Sequence, residues 1–193
     1  MQPKIILASS SLFRKELLRR LHLDFKCHSP DIDESQIDGE SATDYVCRLA
    51  QQKARTISNG HNNAVVIGSD QCALIDGQIL GKPGNYSAAL QQLKAAQGKT
   101  VVFHTGICVL RPETNFKEVD EVLYRVKFRQ LRDDQLARYL QLEQPYQCAG
   151  SFKSEGYGTC LVSAMQGDDP SALIGLPLIR LVSMLERAGV IVV

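Results

Sequence analysis

Four groups of residues in this chain combine charge, small hydroxyls and glycine in ways suited to handling a polyanion. The first is Ser9-Ser10-Ser11 with Arg14 just beyond. Hydroxyls and free amides at a helix N-terminus favour phosphate, and so does the positive end of the helix dipole. The same residues also read as plain capping with a solvated Arg14. The second is Lys53, which falls inside the apolar stripe Val46, Leu49, Ala50, Ala54 and Ile57 at helical spacing. A lysine there must either snorkel to the edge or meet an anion, such as phosphate. The third is Asp70, expected at the carboxyl end of a buried strand, where ligands of open α/β sheets gather. A carboxylate there can hold a divalent cation or take a proton from a water attacking phosphorus; it can also be a turn residue. Glu34, in an acidic loop, is a possible partner or a solvated charge. Lys82 is held extended by Pro83, which suits a pointed cation. The fourth is Ala149 to Gly158, whose glycines allow close backbone approach, and whose Lys153 and Glu155 share one face if the segment is extended.

These residues need elements to position them. Lys4–Ala8 reads as a buried strand, and the serines cap a helix from about Leu12 to Leu21. Asp24–His28 is a second strand, followed by the acidic loop 29–40. Ser41-Ala-Thr-Asp44 opens a long helix to about Ser58. Ala64–Gly68 is a continuous apolar strand with Asp70 after it. Cys72–Ile75 and Gln78–Leu80 form a hairpin about Asp76-Gly77. A helix over Ser87–Gln97 stops at Gly98. Long strands cover Thr100–Leu110 and Val119–Phe128; in the latter, Val122, Tyr124, Val126 and Phe128 form the buried face. Helices at Arg132–Glu143 and Pro177–Ala188 flank a strand over Thr159–Met165, and Leu173, Leu176, Leu178 and Leu181 read as core. The expected class is α/β with a central mixed sheet.

Composition narrows the function. Lys plus Arg is 22 against 21 Asp plus Glu, a net charge of +1. That argues against a duplex-DNA binder, which needs a basic face. No apolar run nears the ~20 residues required to span a bilayer, and no signal peptide is evident at the N-terminus. The six cysteines are widely spaced and read as reduced, buried thiols of a cytosolic protein. No C-x-x-C or H-x-x-x-H pair suggests zinc, and no Walker A or G-x-G-x-x-G element is present.

Taken together, ILASSSLFRKELL (6–18), DIDE (31–34), RLAQQKA (48–54), VIGSDQ (66–71), GKP (81–83), TGICV (105–109), CAGSFKSEGYG (148–158) and GLPL (175–178) resemble the Maf family. These are nucleoside-triphosphate pyrophosphatases once described as septum-formation inhibitors. The family opening resembles L-A-S-x-S-P-R-R; Leu12 and Phe13 replace the Pro and the first Arg here, and Arg14 remains. Phe13, Gln71 and Glu155 resemble the 7-methyl-GTP (YceF) subfamily, whereas the dTTP/UTP branch has Arg, Thr and Gln.

The resemblance implies a single Maf/ITPase-like domain over 1–193, two-lobed with a cleft between the lobes. It implies Asp70 as proton acceptor and a Mg²⁺ or Mn²⁺ cofactor, for which Glu34 and Asp70 are the candidate ligands. Ser9, Arg14, Glu34, Lys53, Lys82 and Lys153 should line the substrate site, and the products should be 7-methyl-GMP and diphosphate. It also implies a homodimer. The base chemistry agrees: guanine methylated at N7 is cationic, and a Phe face attracts a cation by about 0.5–2 kcal/mol. A Glu can accept from the guanine N1–H and N2–H. Phe13 also aligns with Leu17 and Leu21 as helical core. Two rival readings stay open: a dTTP/UTP pyrophosphatase, and a septum-formation inhibitor that binds a cell-division partner.

Overall fold

A computed structural model describes residues 2–193. Its strands are β1 (Lys4–Ala8), β2 (Phe25–His28), β3 (Ala64–Ile75), β4 (Gln78–Leu80), β5 (Thr100–Arg111), β6 (Phe116–Phe128) and β7 (Val162–Gln166). Its helices are α1 (Leu12–Arg19), α2 (Ala42–Ser58), α3 (Tyr86–Ala96), α4 (Asp133–Glu143), α5 (Pro170–Ile174) and α6 (Leu178–Arg187). The strands form one mixed sheet in the order β2-β1-β3-β5-β6-β7, with β4 paired to β3. β1 pairs in parallel with β2 and β3, while β3–β4 and β6–β7 are antiparallel. The α/β class expected from the sequence is what the chain adopts.

Two compact units divide the chain. The first comprises 1–70, 105–122 and 169–193; the second comprises 71–104 and 123–168. In the first unit, the apolar runs of β1 and β3 are continuous because both sheet faces are covered. Side chains alternate between the faces. Ile5, Leu7, Val65, Ile67, Ile107 and Val109 pack with Leu17 and Leu18 of α1 and with Leu181, Met184 and Leu185 of α6. Ile6, Ala8, Ala64, Val66 and Cys108 pack instead with Ala50 and Ala54 of α2. Helix α2 starts where the sequence places it, with the Ser41 hydroxyl accepting from the Asp44 amide.

In the second unit, Tyr124, Val126 and Phe128 are buried while Arg125 and Lys127 are exposed; Val122, which belongs to the first unit, is only half-buried. Phe152 packs at 5.3 Å from the Phe128 ring and 5.9 Å from Phe103. Asp76 and Gly77 both take positive φ, as the β3–β4 hairpin requires.

Several boundaries and environments depart from the sequence reading. The last strand begins at Val162 rather than Thr159, because 157–161 wind into a 3₁₀ turn. Helix α5 has no sequence counterpart; it is one short stretch capped by Asp169 and opened by Pro170. Leu173, Leu176 and Leu181 are core as expected, and Leu178 is partly buried. Cys72 and Cys108 are buried, but Cys27 and Cys160 are exposed, so the expectation of uniformly buried thiols fails. No helix among the described residues is long and apolar enough to cross a membrane.

Candidate active site

Asp70 does not end a strand. Strand β3 continues unbroken from Ala64 to Ile75, so Asp70 stands inside it. The apolar run stops being legible at Gly68, but the backbone pairing does not. Alternation along β3 then decides direction. Residues 64 and 66 face α2, and so do 68 and 70. Gly68 is where helix and strand touch. A Cβ there would collide with the Ala50 carbonyl and the Ala54 amide of α2. Gly106 plays the same part on β5, against the Val46 backbone. With only hydrogen at these two positions and small Ala50 and Ala54 opposite, α2 lies directly on the sheet.

That close approach carries Lys53 to Asp70. The Lys53 ammonium donates to Asp70 Oδ1 at 2.5 Å and lies 2.7 Å from Glu34 Oε1. Lys53 is 5% exposed and Asp70 6%, so the lysine does not snorkel to solvent. It meets anions, as one sequence alternative holds, and here they are two carboxylates. Asp70 Oδ2 accepts no hydrogen bond among the described residues. Arg14 is close enough that Asp70 and Glu34 both act to raise its pKa, although burial outweighs them and pulls it below its ordinary value.

The loop holding Glu34 is tied to α2. The Tyr45 hydroxyl donates to the Glu34 carbonyl at 3.0 Å, and Arg48 donates to the Ser35 carbonyl at 3.1 Å. Arg48 also grips both Glu40 oxygens, at 2.6 and 2.7 Å. This fork holds the Glu40 carboxyl below the ordinary glutamate range. Neither Tyr45 nor Arg48 has a role in the sequence reading. The visible signal is spacing alone, since 45, 48 and 52 share a flank of α2 with 53 one residue round.

At the start of α1, Ser11 is the cap, accepting from the Arg14 amide at 3.4 Å, while the buried Ser9 hydroxyl accepts from the Ser11 amide. Arg14 Nε donates to the Gly175 carbonyl at 2.8 Å. Ser69, pointing away from α2 by strand alternation, sets its hydroxyl 2.9 Å from the same carbonyl and 2.8 Å from Gly106 O. The GLPL segment is thus pinned beside Arg14, a function the sequence alone assigns to no residue. Phe13 is half-buried and outside the core cluster that takes in Leu17 and Leu21, which removes the simplest version of the core reading for its ring.

The remaining predicted residues belong to the second unit. Lys82 is exposed in the loop after β4. Its neighbour Gly81 accepts from the Gly150 amide and from Gln92, and Gln92 in turn accepts from Ser151. Gln71 is half-buried. Lys153 and Glu155 do not share an extended face. Residues 153–156 form a turn, closed by the Gly156 amide on the Lys153 carbonyl. The Lys153 ammonium pairs with Glu143 Oε1 at 2.5 Å. Glu155 is exposed, and its carboxylate accepts only from the Ser154 hydroxyl at 3.2 Å among the described residues.

The donor set bears on the expected cation. No group of three or more His, Cys, Asp or Glu that could hold a metal exists among the described residues. Glu34 and Asp70 nevertheless flank one position already filled by a cation, the Lys53 ammonium. Two hard carboxylates suit Mg²⁺ or Mn²⁺, which commonly take few protein ligands and complete their shell with water and substrate phosphate.

Residues 4–188 match the family described as Maf-like protein. The chain is 54% identical to a 7-methyl-GTP pyrophosphatase of Methylobacillus flagellatus over 99% of this chain and 100% of that one. It is 53% identical to one of Nitrosococcus oceani, over 97% and 94%, and 51% identical to one of Pseudomonas syringae, over 97% and 98%. Among solved structures it is similar to the Staphylococcus aureus Ham1 protein, with a TM-score of 0.47 and 15% identity over 65% of this chain and 71% of that one.

Proposed function

The chain belongs to the Maf family, and we propose that it hydrolyses 7-methyl-GTP to 7-methyl-GMP and diphosphate. One observation carries the chemistry: a buried aspartate in mid-strand, with one oxygen held by a buried lysine and the other open. Asp70 takes a proton from the water whose oxygen bonds to the α-phosphorus. The α–β bridging bond breaks, and its electron pair leaves with diphosphate. Lys53 holds Asp70 Oδ1 in place and offers positive charge to the polyphosphate as it binds. Arg14, Lys82 and Lys153 supply further cations, and Ser9 supports the amides before α1. Glu34 and Asp70 would hold a Mg²⁺ or Mn²⁺, which when bound neutralises charge on the phosphates.

Phe13, Gln71 and Glu155 are assigned to the base. Glu155 supports that reading because its carboxylate is exposed and nearly unengaged. The proposal also takes in a homodimer and a cytosolic setting, open to light scattering and cell fractionation.

The test is diphosphate release from 7-methyl-GTP, GTP, dTTP and UTP. Preference for 7-methyl-GTP, abolished by Asp70→Asn, is the expected result. A preference for dTTP or UTP moves the chain to the other branch, and release undiminished in Asp70→Asn removes Asp70 as base. Phe13→Ala and Glu155→Gln should each cost 7-methyl-GTP selectively; equal losses on all four nucleotides would make them supports of the fold.

A further inference from the structure

Glu143 ends α4 in a setting that solvation does not explain. Its side chain is 12% exposed, and both oxygens are used. Oε1 pairs with Lys153 at 2.5 Å, and Oε2 accepts from the Tyr157 amide at 2.6 Å. One helical turn earlier, the Tyr139 hydroxyl donates to the Ser151 carbonyl and accepts from the Lys153 amide, each at 3.1 Å. Residues 139 and 143 are four apart and share a face of α4. That face therefore grips the chain on both sides of the turn that holds Glu155. Glu155 itself makes almost no contact, so its position is inherited from the turn's two ends. A Cβ on Gly156 would stand 2.5 Å from Glu143 Oε2, so glycine there leaves room for the carboxylate.

We infer that Glu143 is a positioning residue for base selection, clamping Lys153 and the Tyr157 amide so that Glu155 is presented in one orientation to the base. The inference rests on the proposed reading of Glu155 as a base-recognising group. It goes beyond it by assigning a role to a residue of another element, α4, that the sequence reading leaves without one. Preorganisation is the physical reason. A recognition carboxylate on an untethered turn gives up ordering entropy each time it binds, whereas a clamped one does not.

The experiment compares kcat/KM for 7-methyl-GTP with that for GTP in the full-length protein. Glu143→Gln keeps the shape and removes the charge. It should lower the 7-methyl-GTP to GTP ratio by about fivefold to tenfold, mainly through KM, as expected when a charge-assisted contact is loosened. Gly156→Ala should lower the ratio similarly, because its methyl group displaces the Glu143 carboxylate. Adding Gly156→Ala to Glu143→Ala should cost little more, since the carboxylate is already gone. A ratio unchanged in Glu143→Gln, or equal loss on both nucleotides, overturns the inference; so do Gly156→Ala and Glu143→Ala losses that simply multiply. Glu155→Gln is measured alongside. If it leaves the ratio intact, the base reading of Glu155 falls first; if it collapses the ratio while Glu143→Gln does not, only the clamp is wrong.

Discussion

Two lysines, each joined to carboxylate, sit in opposite circumstances. Lys53 is held under a helix that lies directly on the sheet, between Asp70 and Glu34, almost fully buried. Lys153 is half-buried at a turn and joined to a single glutamate from the end of α4. The first arrangement is rigid because backbone meets backbone at Gly68 and Gly106. The second is built from side chains of α4 that grip a turn, Glu143 on Lys153 and the Tyr157 amide, and Tyr139 on the Lys153 amide. A proton-transfer group must stay within hydrogen-bond reach of its water, so it belongs on the stiff element. A base-reading group needs its presentation fixed, and a clamp on the two ends of its turn does that.

The contrast is broken most severely at Asp70. Asp70→Asn should lower kcat at least about 10²- to 10⁴-fold, the range of a general base, while Lys53 keeps Glu34 as partner. Steady-state kinetics and a melting curve check both halves; a full-rate variant would end the assignment. Next is Lys53→Met, which leaves buried Asp70 without its cation. Loss of one partner of a buried pair costs about 3–5 kcal/mol, read by urea unfolding. A variant as stable as the parent would mean that the Lys53–Asp70 pair contributes nothing to the fold.

Two glycine substitutions sharpen the same contrast. Gly68→Ala places a methyl group against helix backbone and should cost about 1–3 kcal/mol and displace Lys53. Gly156→Ala meets a side-chain carboxylate that can move aside, so its cost should be the smaller, about 0.5–1 kcal/mol from the weakened hydrogen bonds, even as its selectivity changes. Equal destabilisation would erase the distinction.

The smallest effect is in pH. Lys153 is the main cause holding the Glu143 carboxyl below its ordinary value of 4.5. A depressed carboxyl contributes fully above the ordinary value and loses its contribution as pH falls through the lower, folded one. The clamp should therefore survive pH 5 unchanged and loosen only below the ordinary glutamate range. Binding selectivity measured down to pH 4 checks this; a loss already at pH 5–6 would point to another group.

Much of this was legible without coordinates. The continuous apolar run at 64–68, the Ser41 cap and the helical stripe through Lys53 are local patterns, readable from neighbours a few residues away. Lys53 could be seen to need either the edge or an anion. Its identity could not, because Asp70 is 17 positions on and reaches Lys53 only by strand alternation and a glycine contact. Asp70's place inside a strand was hidden for a related reason: pairing continues past the apolar residues that advertise a strand.

Sequence by itself therefore determined the order of most strands and helices, though not α5 or the unbroken run of β3, together with the family and which charged residues stand in suspicious positions. Tertiary structure alone decided which charges neutralise one another, that the Arg48 fork carries the Glu34 loop, and that Glu143 holds the turn under Glu155. The physical reason is range. Periodicity and capping act within a turn or two of chain, whereas ion pairs and close backbone approach depend on packing between elements far apart in sequence.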